Sequence, residues 1–447
     1  MASASTKSAA MKAILIPSIT LNGHESWIRS ISYFPDGQRM ISGSDDRTAR
    51  QWDLKSGKEI KEVRGVCKGR VYTVAVSRDG RWVVIGGEDD CGELKACEVE
   101  TGTVKIFEGH SQAISCVDIS VDDRLLAGGS CDGTVRIWNL DTGKLVAGPF
   151  KSEDPVGAVR FSTNSTKLAV KLMTGKCLEL WDVRSQKLDA KVGEYGGLRR
   201  TYSPVFWTNN NKTIIAALSP NEDDYPKTIY EFDGSTLDVV GTTFEGHTYL
   251  VTGLALSFDG ALLASASLDN TIKLWAFESR QLLASFDAQD PFRLILSPDA
   301  RQLAYMINTK YDCKICICDT PPDVLTQART IARKTSKFNH LLHSDVTRCH
   351  PAGHRRPPIS VIPMAQIPSP TRDTQQPSFL RLSELLRFSP RTNSLRPGRK
   401  EQPRDPLNVC FLFSLFRICL DDSTPDPRYI TPTILSLSSR CNSIQSF

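Results

Sequence analysis

The chain has 447 residues, of which 40% are hydrophobic and 23% charged, and its formal net charge is +5. That charge is uneven: residues 1–320 carry 37 Lys and Arg against 41 Asp and Glu, whereas residues 321–447 carry 18 against 9, with 16 of the 25 prolines. An acidic body followed by a basic, proline-rich tail excludes one uniform globular domain.

Residues 1–11 are small and polar and read as a flexible N-terminus without the apolar core of a signal peptide. The late apolar run Val409–Leu420 is broken by Ser414, Arg417 and Cys419 and is too short to span a bilayer. The expectation is an intracellular protein, cytoplasmic or nuclear, whose 13 cysteines are mostly free thiols.

The run Lys12–Leu21 predicts a strand. A repeat follows, with a fixed internal spacing. Gly23-His24 precedes Trp52-Asp53, Gly109-His110 precedes Trp138-Asn139, and Gly246-His247 precedes Trp275-Ala276, with 28 residues from His to Trp each time. Before each Trp comes a polar strand end, an Asp in the turn and an apolar/polar alternation, as in Gly129-Ser130-Cys131-Asp132-Gly133-Thr134-Val135-Arg136-Ile137-Trp138. That alternation is what a half-buried strand requires.

Weaker copies fill the intervals. Residues 64–103 keep Asp79-Gly80 but have Cys97-Glu98 in place of Trp-Asp, and residues 148–188 keep Trp181-Asp182 without the Gly-His. Residues 192–240 offer Val205-Phe206-Trp207 and close on Tyr230-Glu231-Phe232-Asp233. Residues 286–320 run from Leu294-Ile295-Leu296 to Ile315-Cys316-Ile317-Cys318-Asp319. Seven units result, and the period matches one four-stranded blade per unit. The last supplies only three strands, so the N-terminal run is expected to add the fourth and close the ring, with Pro17 tolerated on an outer strand.

These blocks resemble the WD40-repeat family, notably its expanded fungal members, over residues 12–320. The resemblance implies an all-β, seven-bladed WD40 β-propeller. It also implies a hydrogen-bonded chain in each regular blade: His24, Asp46 and Trp52; His110, Asp132 and Trp138; His247, Asp269 and Trp275, with Ser44, Ser130 and Ser267 as the expected hydroxyls. Family members bind partners on the rim of the central channel. Carried over position by position, that rim is Trp27, Arg29, Asp45, Ala113, Ser115, Cys131, Leu250, Thr252 and Leu268, with Arg70, Tyr72, Pro155, Gly157, Pro291 and Arg293 at weaker alignments.

No catalytic, cofactor or metal constellation competes with this. Phosphate-loop, zinc-helix and nucleophile-elbow motifs are absent from the sequence. Cys313-x-x-Cys316-x-Cys318 has no second ligand pair, and Cys316 and Cys318 read as small apolar fillers on one strand face. Cys349-His350 with His354 lies in a Pro/Arg segment. A hydrolase would have only Asp45, Ser115 and Thr252 to work with.

After Pro321-Pro322, residues 321–343 predict one helix with Val324, Leu325, Ala328, Ile331 and Ala332 on one face. Residues 344–447 are expected to be a disordered Pro/Arg/Ser-rich tail, interrupted by the amphipathic island Phe379–Phe388 and by Ser369-Pro370 and Ser389-Pro390 as phosphorylation sites. Residues 407–447 match neither a linker nor a packed element, the pattern expected of a gene-model artefact.

The function expected is a non-enzymatic scaffold or adaptor, a monomeric propeller within a complex. Its partners are proteins or peptides, with no small-molecule substrate, no cofactor, no membrane span and no strong case for nucleic acid, since the tail lacks stacking aromatics. The alternative is a substrate-recognition subunit of a cullin-type ubiquitin ligase, docking through Trp181, Asp182 and Arg184.

Overall fold

The structure, a computed structural model, describes residues 13–344 except 64–67, 89–91, 197–200, 209–210, 220–224 and 310–311. Cys349, His350, His354, the island at 379–388, both Ser-Pro sites and the stretch 407–447 lie outside the described residues.

Seven small antiparallel sheets succeed one another along the chain. Blade one is regular: Ile28–Tyr33, Arg39–Ser44, Ala49–Asp53 and Lys58–Val63 pair in sequence order. Blades two, three, four and six repeat this, starting at Val71, Ile114, Val156 and Val251. From blade six through blade seven and round to blade five, the first strands of successive blades stand side by side around the axis. One buried apolar layer lies between each blade and the next, for example Val156, Val170 and Leu172 of blade four packed with Val135, Ile137 and Phe150 of blade three. Each sheet thus buries both faces against its neighbours, which is why its central strands are apolar throughout, as in Trp82–Gly87.

Blade five departs from this plan. It has three strands, Phe206–Trp207, Thr213–Leu218 and Thr228–Asp233, and its outer edge is reduced to the single bridges Ile229–Phe244 and Phe232–Val239. The segment before Phe206 is irregular yet buried at Thr201, Ser203 and Val205.

Ring closure uses the N-terminus, but the run Lys12–Leu21 is divided between two blades. Ile19–Asn22 completes blade seven by pairing antiparallel with Cys313–Asp319, Leu21 opposite Ile315. Ala13–Ile14 instead adds a parallel fifth strand to blade six, against Phe286 and Asp287. Pro17 therefore lies in the link between the two strands and not on an outer strand as expected. Its missing N–H costs nothing there. Leu15, in the same link, is buried between blades six and seven.

The helix Pro322–Ser344 packs on blade six, burying Val324, Leu325 and Ala328, while Arg329 Nε donates to Asp259 Oδ2 at 2.7 Å. Cys316 and Cys318 are buried in the layer that this helix covers. No helix among the described residues is long and apolar enough to cross a membrane.

Candidate interaction surface

The blade motif is built from the turn outward. In blade one, Asp46 accepts the backbone N–H of Thr48 (2.9 Å) and of Glu25 (3.1 Å), the Thr48 hydroxyl (2.6 Å) and His24 Nδ1 (2.7 Å). With Nδ1 donating, Nε2 is left to accept from the Ser42 hydroxyl at 2.7 Å, and Ser42 Oγ in turn accepts the Trp52 indole N–H at 2.8 Å. Blade six repeats the chain through Asp269, His247, Ser265 and Trp275. Burial acts to raise the Asp46 and Asp269 pKa values, but the His and Thr hydrogen bonds outweigh it and hold both carboxyls well below the usual range. Gly23, Gly109 and Gly246 precede the histidines at φ of 150°, 132° and 154°, and a Cβ at Gly246 would press on the Trp275 ring at 3.1 Å.

The hydroxyl assignment needs correction. Ser42 and Ser265 belong to the chain, not Ser44 and Ser267. The latter, with Ser130, stand two residues on and close the turn, each accepting from the N–H of the turn Asp at 3.1 Å. In blade three the position of Ser42 is held by Gly128, whose carbonyl lies 3.1 Å from His110 Nε2. Both ring nitrogens of His110 there face acceptors, and burial lowers its pKa more than Asp132 raises it. A neutral imidazole has one N–H for the two acceptors. Blade four, without a Gly-His, uses the buried Glu179, which accepts from Trp181 Nε1 (2.9 Å), Ser152 Oγ (2.7 Å) and Tyr195 Oη (3.1 Å).

The rim residues fall into two geometric classes. In the first strand of six blades the ladder skips one residue: Arg29, Tyr72, Ser115, Gly157, Thr252 and Arg293 are each the extra residue of a β-bulge. A bulge turns its residue out of the pleat and re-aims its side chain. The second class comes in pairs, each tied by one backbone hydrogen bond: Trp27 with Asp45, Ala113 with Cys131, Leu250 with Leu268. Arg70 with Glu88 and Pro155 with Met173 are bonded alike, which adds Glu88 and Met173, both missed by the sequence reading. Pro291 is buried, and its carbonyl accepts from Thr252 Oγ1.

These residues are brought together most closely on blades one and two. Arg29 donates twice to Asp45, from Nε at 2.9 Å and Nη2 at 2.6 Å. Its guanidinium lies over the Trp27 ring at 5.2 Å and the Tyr72 ring at 5.8 Å, inside the range of cation–π attraction. Tyr72 Oη donates to Glu88 Oε2 at 3.0 Å, and Arg70 approaches the same carboxylate at 3.7 Å. Burial, then the Glu88 charge, push the Tyr72 pKa up, so the phenol stays protonated. Trp27 remains 44% exposed at the edge of this cluster.

Elsewhere the bulge residues tie blades together. Ser115 Oγ donates to Val156 O at 2.5 Å and Thr252 Oγ1 to Pro291 O at 2.7 Å, each reaching the next blade. Beyond the bulges, the first strands of all seven blades wall a central cavity of about 780 Å³. Trp181 and Asp182 share the turn chemistry of the other blades. Asp182 Oδ1 accepts from Ser185 N at 2.7 Å, as Asp53 does from Lys55 N (3.0 Å) and Asp233 from Ser235 N (2.8 Å). Arg184 is exposed beside it. Among the described residues no three His, Cys, Asp or Glu side chains are placed to hold a metal.

The family profile described as WD domain, G-beta repeat matches residues 16–53, 57–91, 102–139 and 239–276, four of the seven blades. The chain carries WD40 repeats. Its relatives include the guanine nucleotide-binding protein subunit beta of Zea mays, 31% identical over 271 residues, 58% of this chain and 59% of that protein. Autophagy-related protein 16 of Arabidopsis thaliana is 24% identical, covering 61% of this chain and 53% of that protein. Striatin of Mus musculus is 23% identical, over 61% and 37% respectively. The WD40 chain thus spans between one third and three fifths of the length of these relatives.

Proposed function

We propose that this protein is a non-catalytic interaction scaffold that seats protein or peptide partners on the channel mouth, with the Trp27–Arg29–Tyr72 stack as its principal contact. The observation that carries this reading is the half-exposed Trp27 held against an arginine already fixed by Asp45. Such an anchor loses little conformational freedom on binding, and Trp, Tyr and Arg are the residues that dominate interface energetics. The relative named as a subunit of a guanine nucleotide-binding protein is, by that name, part of an assembly, which supports the same reading. We take the protein to act inside the cell, as one propeller in a larger complex.

Hydrolysis finds no support in the candidate trio. Asp45 is bound by Arg29, and Ser115 and Thr252 both donate to backbone carbonyls, so neither hydroxyl has a general base. Ligase docking rests on Trp181-Asp182, whose Asp turn recurs at Asp53 and Asp233 and so favours no adaptor in particular. The test is affinity purification with Trp27→Ala plus Arg70→Ala. Specific partners should be lost while the melting temperature stays near wild type. An unchanged set of partners would overturn the proposal.

A further inference from the structure

Arg293 is an arginine without a counterpart. It is the extra residue of the bulge in Pro291–Leu296 and adopts φ 47°, a conformation that a side chain as large as arginine rarely takes. The neighbouring blade makes room for it: a Cβ at Gly253 would lie 2.7 Å from Leu294 N. Its Nε is shielded from solvent with no hydrogen-bond partner, and among the described residues no carboxylate pairs with its guanidinium. The Tyr202 ring lies 5.8 Å from its Cζ, and Cys116 and the guanidinium of Arg29 are also within electrostatic reach.

A second cation stands in the same state. Lys171 is fully buried, and its Nζ donates only to Ser203 Oγ, at 2.5 Å. It occupies the register position at which blades one, two and three have Gly43, Gly86 and Gly129 and blade six has Ala266. Its long side chain fills space that the incomplete first strand of blade five leaves beside Thr201 and Ser203. Although they sit on blades four and seven, Lys171 and Arg293 lie within electrostatic reach of each other and of Cys116 on blade three. Tyr202, which stacks under Arg293, and Ser203, which accepts from Lys171, are consecutive residues, so the two cations approach the same segment of chain leading into blade five. Burial, then repulsion by Arg293, bring the Lys171 pKa down to about 7, and burial brings that of Arg293 down to about 10. A buried cation is normally paired, and the buried Lys171 with the half-buried Arg293 in electrostatic reach, neither paired with a carboxylate among the described residues, marks a place where negative charge is missing.

We propose that Arg293 and Lys171 form an oxyanion-binding site in the neck of the channel, which receives a phosphate or carboxylate group carried by the partner on the rim. An arginine fork with a lysine point charge and the Ser203 hydroxyl offers the donors that such a group needs. The source of the anion rests on the rim reading of the previous subsection, whereas the site itself does not.

The experiment is calorimetric titration and thermal melting of the full chain with sodium phosphate, sodium acetate and sodium chloride at matched ionic strength. Phosphate or acetate should raise the melting temperature above the chloride control in a saturable way, and the more effective of the two identifies the chemistry. Arg293→Gln and Lys171→Met should each weaken that binding at least tenfold, while Trp27→Ala leaves it intact. Equal effects of chloride and both oxyanions, or an unaltered response of Arg293→Gln, would refute the site. Because no partner is present, failure here leaves the rim proposal standing, and loss of partners on Trp27→Ala with anion binding retained leaves the neck standing.

Discussion

Two parts of one channel handle positive charge in opposite ways. At the mouth over blades one and two, Arg29 has a bidentate carboxylate and two aromatic faces, and Arg70 approaches Glu88. In the neck between blades four and seven, Lys171 has one hydroxyl and Arg293 has one ring. The first region is complete before anything binds, so its worth to a partner is rigidity. The second is incomplete, so its worth is specificity for negative charge. A ring of six equivalent bulges can therefore carry different chemistry in adjacent positions without altering the fold.

The sharpest way to break this contrast is to remove a cation from each region. Lys171→Met deletes a buried, unpaired charge and should stabilise the ring by about 1–4 kcal/mol in urea melts at pH 6. The sign follows from linkage: the folded pKa, about 7, lies below the unfolded value of 10.5. The destabilisation of the native protein is full below pH 7 and fades as pH rises toward 10.5. The advantage of Lys171→Met should shrink over that window, and a pH-independent difference would contradict the assignment. At the mouth the opposite sign is expected. Asp45→Asn strands a paired arginine and should cost about 1–3 kcal/mol by the same measurement. The smallest change, Tyr72→Phe, keeps the ring under Arg29 and loses only the bond to Glu88, so about 0.5–1 kcal/mol should disappear.

The propeller was legible because its turns repeat. An Asp that must close a turn and accept a histidine fixes the spacing to Trp, and that spacing recurs in blades one, three and six. The serine was misplaced for an equally physical reason. Ser42 and Ser44 are two residues apart, so strand alternation puts both on one face and sequence spacing alone cannot choose between them. The rim positions followed from resemblance, but the bulge that aims them breaks the period of two and leaves no mark in the pattern. Lys171 did leave a mark: in Lys167-Leu168-Ala169-Val170-Lys171-Leu172 it shares its face with Ala169, inward, where a lysine has no ordinary place. Glu179 left no mark, because the spacing of Trp181 does not say which acceptor takes its indole N–H once the histidine is gone.

Whether the mouth is the surface that partners cover can be read directly by hydroxyl-radical footprinting of the protein in complex with a captured partner. The account predicts that Trp27 and Tyr72 become protected while Ile106 and Val146, exposed on the outer strands of blades two and three, react as in the free protein. Continued reactivity of Trp27, with protection of the outer strands, would contradict it.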